Sequence, residues 1–338
     1  VSGMLTAAIC RVRPLGGALC LSFLLSACAH QPYNEQHYLS LPVERSQELP
    51  ETPFFPQDAF QCGPAALAMV LNARGVEVSP QALQPLVYLP DRRGTLQAEM
   101  LAAAAHYGQM AVRIPPSPDS LLLELSAGHP VVVLQNLGFD ALPVWHYAVA
   151  VGYDLDKHEI YLRSGTEKRR TYAFGDFLKS WSRSNRWAMV VVAPGKVPPS
   201  STERDYLSAA SMLERQKNHT AALQAFQAGS RRWPDSYLAW AGTGNAAFSL
   251  GRFSLAEEAY LQALRVRPDS ASIMNNLALA QAERGCRHSA LSIMECALQH
   301  APDDANLAAT YREIRDLPEV GNSCRQFVCE PVAAAAAD

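Results

Sequence analysis

The sequence predicts an α+β domain, with helices packed on an antiparallel sheet, followed by an all-α repeat array. Three observations carry this. Helix signals crowd residues 62–126, and β-branched segments then dominate as far as residue 192. The run Pro194-Gly195-Lys196-Val197-Pro198-Pro199-Ser200-Ser201 suits neither helix nor sheet and marks a boundary. Beyond it, Pro234, Pro268 and Pro302 recur every 34 residues. A chain of 338 residues is long for one domain. Its net charge of −3, with no basic stripe, argues against nucleic acid as a partner.

Residues 1–28 read as an export signal. Arg11 and Arg13 precede an apolar stretch, Leu15 to Leu25, too short to span a membrane, and Leu25-Ser26-Ala27-Cys28 follows. That ending resembles the bacterial lipoprotein box. The resemblance implies that Cys28 is lipidated and becomes the mature N-terminus. Ala29 in place of Asp implies an outer-membrane address, facing the periplasm. A plain signal peptide with an incidental cysteine is the alternative. Residues 29–52 read as a polar tether, and acylation of Cys28 would anchor the chain to the membrane.

In the domain expected over 53–194, Cys62 to Arg74 is an apolar helix with Pro64 in its first turn and Gly75 as its stop. Ser79 caps a second helix, Gly94-Thr95 precedes a third over Leu96–Tyr107, and Asp119 caps a fourth over Ser120–Ser126. Strands are expected over 110–114, 130–136, 146–153, 159–163 and 187–192. A linker, 195–202, leads to an array over 203–316. Its middle unit carries Trp240, Gly244, Gly251, Ala256, Tyr260, Ala263 and Pro268, with Gly285, Ala290, Ala297 and Pro302 repeating the later positions. This pattern resembles the tetratricopeptide repeat, which implies three helix pairs, a capping helix over 305–315 and a protein partner. A tail, 317–338, holds two cysteines.

Outside residues 1–28 the cysteines are Cys62, Cys286, Cys296, Cys324 and Cys329, an odd count. The last four can pair among themselves. Cys286–Cys296 is disfavoured because helix rise separates the two, leaving Cys324–Cys329 or bridges from tail to last repeat. Cys62 is left over. No metal site or cofactor is expected, since no histidine spacing suggests one.

A thiol at a helix N-terminus, with His146 opening a later strand, is the minimal equipment of a cysteine nucleophile. The run Gln61-Cys62-Gly63-Pro64-Ala65-Ala66, Gly94-Thr95, the segment Gly128–Val133 and His146-Tyr147-Ala148-Val149 together resemble the double-glycine leader (bacteriocin-processing) cysteine peptidases, and more closely the stand-alone papain-like domains related to them. The resemblance covers residues 54–194. It implies a papain-like fold, Cys62 as nucleophile and His146 as general base and then acid. Helix dipole and imidazolium are expected to lower the thiol pKa. Two departures stand out. The oxyanion-hole glutamine of the family precedes its cysteine by six residues, whereas Gln57 precedes Cys62 by five. The acid that orients the histidine is missing, and Ser164, Asn136 or Asp154 are the candidate replacements. The function expected is a lipid-anchored envelope cysteine peptidase acting on peptides or proteins, its repeats binding a partner or substrate. Two alternatives stay open: an inactive peptidase-like binding module with a repeat scaffold, and acyl transfer to an amine rather than water. Cys62 as a buried structural thiol and His146 as a core histidine are the plain alternatives for the two residues.

Overall fold

The sheet expected after the helices forms, and its order is not the order of the chain. In the computed structural model, which describes residues 38, 40–57, 61–89, 94–320 and 324–329, helix α1 (Cys62–Asn72) starts with the thiol and buries every residue from Gly63 to Leu71. Pro64 sits in its first turn, where a missing N–H costs nothing. Gly75, at φ +80°, turns the chain out of the helix. Ser79 accepts from the Ala82 N–H at 3.2 Å and caps α2 (Pro80–Val87), as expected. A short ribbon, β2 (Tyr88–Leu89) with β3 (Gly94–Thr95), leads to α3 (Gln97–His106). Helix α4 (Pro118–Ser126) is capped by Ser117, which accepts from Ser120 N–H at 3.1 Å. Asp119 lies inside its first turn, because Pro118 is favoured at the first helical position and moves the cap one residue upstream of it.

The strands are β1 (Ser46–Glu48), β4 (Met110–Arg113), β5 (Val131–Asn136), β6 (Trp145–Asp154), β7 (Glu159–Ser164), β8 (Glu167–Ala173) and β9 (Ala188–Val192). They form one antiparallel sheet in the order β4-β9-β5-β6-β7-β8, with β1 also paired to β6. Part of the stretch expected as a tether therefore belongs to the sheet: Ser46, Gln47 and Glu48 pair with Asp154, Tyr153 and Gly152. Gly152 allows this approach, since a Cβ there would strike the Gln47 carbonyl.

One face of the sheet, with Val132, Leu134, Tyr147, Val149, Val151, Met189 and Val191, packs in a single core with α1, α2 and α3. Helix α5 (Phe174–Ser182) is tied to the sheet by Gln135 Nε2, which donates to Ser180 Oγ at 2.7 Å, and by Trp181 Nε1, which donates to the Trp187 carbonyl at 2.9 Å. No element is expected from the sequence between Ser164 and Trp187. Strand β8 is an edge strand of charged, exposed residues that lacks apolar alternation. Helix α5 did carry a readable signal, with buried Phe174, Phe177 and Trp181 at helical spacing.

The array comprises α6 (Glu203–Arg215), α7 (His219–Arg232), α8 (Tyr237–Ser249), α9 (Phe253–Val266), α10 (Ala271–Glu283), α11 (Arg287–His300) and α12 (Ala305–Arg315), three antiparallel pairs and a cap. Gly242 and Gly244 let α8 approach its neighbours, because a Cβ would fall on the Phe226 and Tyr260 rings. Disulfides Cys286–Cys324 and Cys296–Cys329 tie the tail to the last pair. The described residues from Pro42 onward belong to one compact unit. The expected export signal, tether start and Cys28 lie outside the described residues.

The expected linker is pinned rather than free. The carboxylate of Glu124, fully buried, accepts from the Ser200 backbone N–H at 2.9 Å and pairs with His129 Nδ1 at 2.7 Å. Arg113 at the end of β4 pairs with Asp205 of α6 at 2.8 Å.

Candidate active site

Cys62 is the first residue of α1 and the one free cysteine among the described residues. Helix packing presses its thiol against the start of β6. The backbone groups of Tyr147, Gly63 and Cys62 itself hydrogen-bond the sulfur, which favours thiolate. Burial acts the other way and is larger, so the thiol titrates above its ordinary value. Gly63 makes this packing feasible: a Cβ there would overlap the Thr95 side chain. Tyr147 closes the same corner, donating from its hydroxyl to the Thr95 carbonyl at 3.3 Å and meeting Trp187 edge-on at 5.7 Å.

His146 precedes Tyr147 on β6. Its Nε2 lies 2.9 Å from Ser164 Oγ at the end of β7, leaving Nδ1 as the ring nitrogen outside that bond. Burial, then the positive charge of Arg170, lowers its pKa. Arg170 lies on β8 opposite Leu162, 4.8 Å from the Tyr172 ring and 3.5 Å from the Glu167 carboxylate. The expectation that imidazolium and helix dipole lower the thiol pKa is therefore corrected. Desolvation opposes both charges, a cation opposes the second, and the shifts of the two groups are not set by each other.

Gln57 is bound into this corner. Its N–H donates to the Gly165 carbonyl and its Oε1 accepts from Gly165 N–H, both at 3.0 Å, while Nε2 donates to the Tyr147 carbonyl at 3.3 Å. It thus touches the residue whose backbone also serves the sulfur.

Of the three candidates for the missing acid, only Ser164 reaches His146. Asn136 spends its side chain on the β5–β6 hairpin, accepting from Gly138 and Val144 N–H at 3.0 and 2.9 Å. Asp154 pairs with Lys157 at 2.6 Å at the far end of β6, roughly 26 Å along the strand at ~3.3 Å per residue. Elsewhere, the ligand atoms of Cys296, His300 and Cys329 lie together, but the two sulfurs are already bonded to each other. Sequence reasoning missed Arg170, because β8 itself was not legible.

The arrangement offers a half-buried thiol, an imidazole held by a hydroxyl, and an amide donor bound beside them. Residues 49–189 match the Peptidase_C39 like family. Residues 207–261 and 244–285 match tetratricopeptide and TPR repeat families. No curated protein matches the chain. Among solved structures, a C39-like peptidase from Bacillus anthracis is 20% identical, covering 44% of this chain and 98% of that one, with a TM-score of 0.38. The peptidase domain of Streptococcus ComA, a bi-functional ABC transporter involved in quorum sensing, is 22% identical over 42% of this chain and 99% of its own, with a TM-score of 0.35. The first TPR of Spaghetti (RPAP3), bound to an HSP90 peptide, is 16% identical over 33% and 90%, with a TM-score of 0.33. The chain thus carries a C39-like peptidase domain, helices on an antiparallel sheet, followed by TPR repeats.

Proposed function

We propose that the C39-like domain is a cysteine peptidase working through Cys62 and His146, and that the repeats bring it a peptide or protein. The observation that carries this is the sulfur held at the N-terminus of α1 by the backbone of Tyr147, the residue after His146, whose Nε2 meets Ser164 Oγ at 2.9 Å. In the reaction, His146 takes the thiol proton as sulfur attacks the scissile carbonyl carbon. Gln57 and the Cys62 N–H are the candidate donors to the oxyanion. The carbon–nitrogen bond breaks, and the imidazolium gives its proton to the leaving amine. Water, deprotonated by His146, then attacks the thioester, releasing a carboxylic acid and restoring the thiol. Because burial disfavours both charges, the resting pair is neutral thiol and neutral imidazole, and charge separates only on attack.

The same proposal places the protein in the cell envelope, lipid-anchored through Cys28 and facing the periplasm from the outer membrane. Two disulfides beside one free thiol suit an oxidising compartment and support this address. The observation that His146 faces a cation and a hydroxyl, with no carboxylate bonded to it among the described residues, favours a second reading: an inactive module that binds peptides. Hydrolysis of a broad peptide library by the full chain decides between them. The peptidase reading expects cleavage that Cys62→Ala and His146→Ala each abolish. The binding module expects none, with peptide retention unchanged by Cys62→Ala.

A further inference from the structure

Of the twelve exposed large apolar side chains among the described residues, five fall in the hairpin joining β5 to β6: Leu137, Phe139, Leu142, Val144 and Trp145. Phe139 and Leu142 are 74% and 76% exposed at its tip. The hairpin holds them out rather than letting them collapse. Leu137 N–H donates to Val144 O at 2.9 Å, and Phe139 N–H to Leu142 O at 3.3 Å. Asn136 clasps both limbs, and Arg183 Nη1 donates to the Gly138 carbonyl at 2.8 Å. An apolar surface fixed in water marks a place where something docks, since exposure has a cost that only a partner removes.

Its position and charge say what. The patch adjoins the candidate site along the chain: Trp145 is followed by His146, then by Tyr147, whose backbone meets the sulfur. The tip carries a carboxylate, Asp140, between Phe139 and Leu142, which forms no ion pair among the described residues. A carboxylate there repels an anionic lipid surface and attracts a cation. We infer that this hairpin is the specificity element of the site, seating a bulky apolar side chain of a peptide substrate while Asp140 meets a basic residue of the same peptide. The inference rests on the peptidase reading for the word substrate, and on the hairpin alone for the binding.

Two measurements on the full chain test it. The first is kcat/KM for paired fluorogenic peptides that differ by Leu or Phe against Gly at one scanned position, with Lys or Glu nearby. The second is anisotropy of the same labelled peptides on the Cys62→Ala protein, which reads binding without turnover. Both should favour the apolar peptide by about tenfold or more at one position. The double variant Phe139→Ser, Leu142→Ser should shrink that ratio to within about threefold, whereas Phe139→Trp should keep it, which separates lost contact from misfolding. Asp140→Lys should turn the preference from Lys to Glu. An unchanged ratio in the double variant overturns the inference. So does a double variant whose only defect is lost vesicle binding or lost dimerisation, since the hairpin would then serve a membrane or a second copy. Cleavage indifferent to the hairpin removes this inference alone. Binding that depends on the hairpin with no cleavage at all removes the peptidase reading and leaves the docking role.

Discussion

Among the described residues no carboxylate is bonded to Cys62 or His146, both half-buried, and their shifts move apart, the thiol up and the imidazole down. A raised thiol pKa means that thiolate appears only at higher pH. Iodoacetamide should therefore label native Cys62 several-fold more slowly than a free thiol near pH 7, with a rate that climbs beyond the usual thiol range. A rate already on its plateau near pH 6 would point to a standing ion pair instead. Ser164 supplies orientation and no charge. Removing it as Ser164→Ala should lower kcat by roughly 2- to 10-fold, the worth of one neutral hydrogen bond. Ser164→Asp places a carboxylate at Nε2, and NMR titration should find the imidazole pKa raised by about one unit or more, because an adjacent negative charge favours the protonated ring. At this scale the contact between Ser164 and His146 was legible from residue type and position. The electrostatics were not, since burial and Arg170 depend on a strand the sequence did not announce.

At the scale of elements, the site exists because a helix start, a ribbon and a strand start meet in one corner. Gly63 sets the closeness of that meeting. Gly63→Ala should cost about 1–3 kcal/mol in urea unfolding, the range for inserting a methyl group into a packed contact, and should depress turnover more than thermal stability suggests. A neutral effect would show that Thr95 yields freely. Ser79 could be read as a cap because a serine stood alone before Pro80. The true cap of α4 was missed because Ser117, Asp119 and Ser120 compete within four residues around Pro118. The repeat helices were plain because alanine and glycine recur where helices touch, and glycine at two of those contacts leaves room for a ring. Edge strand β8 was hidden by its charges, and β1 by its brevity.

At the scale of the molecule, the array is docked on the first domain through Glu124–Ser200 and Arg113–Asp205, so repeats and candidate site belong to one unit rather than to two tethered ones. The boundary run of prolines and serines was legible, but its pinning was not, because the partner carboxylate lies 76 residues away in sequence. The tail bridges close spans of 38 and 33 residues, each worth about 3–4 kcal/mol in the chain-entropy picture. Replacing all four cysteines by alanine should lower the melting temperature of the array and expose the tail to proteolysis, while leaving Cys62 labelling unchanged. Loss of Cys62 protection in that variant would mean that the array braces the first domain more tightly than its contacts suggest. Peptidase chemistry at the start of α1 requires that a peptide acylate the Cys62 sulfur. Intact-mass spectrometry of the full chain, quenched in acid during turnover of a cleaved peptide, tests it most directly. A single adduct equal in mass to the acyl half of that peptide is expected, mapped to Cys62 and absent from Cys62→Ala. Turnover that persists in Cys62→Ala, or an adduct on any other residue, would contradict it.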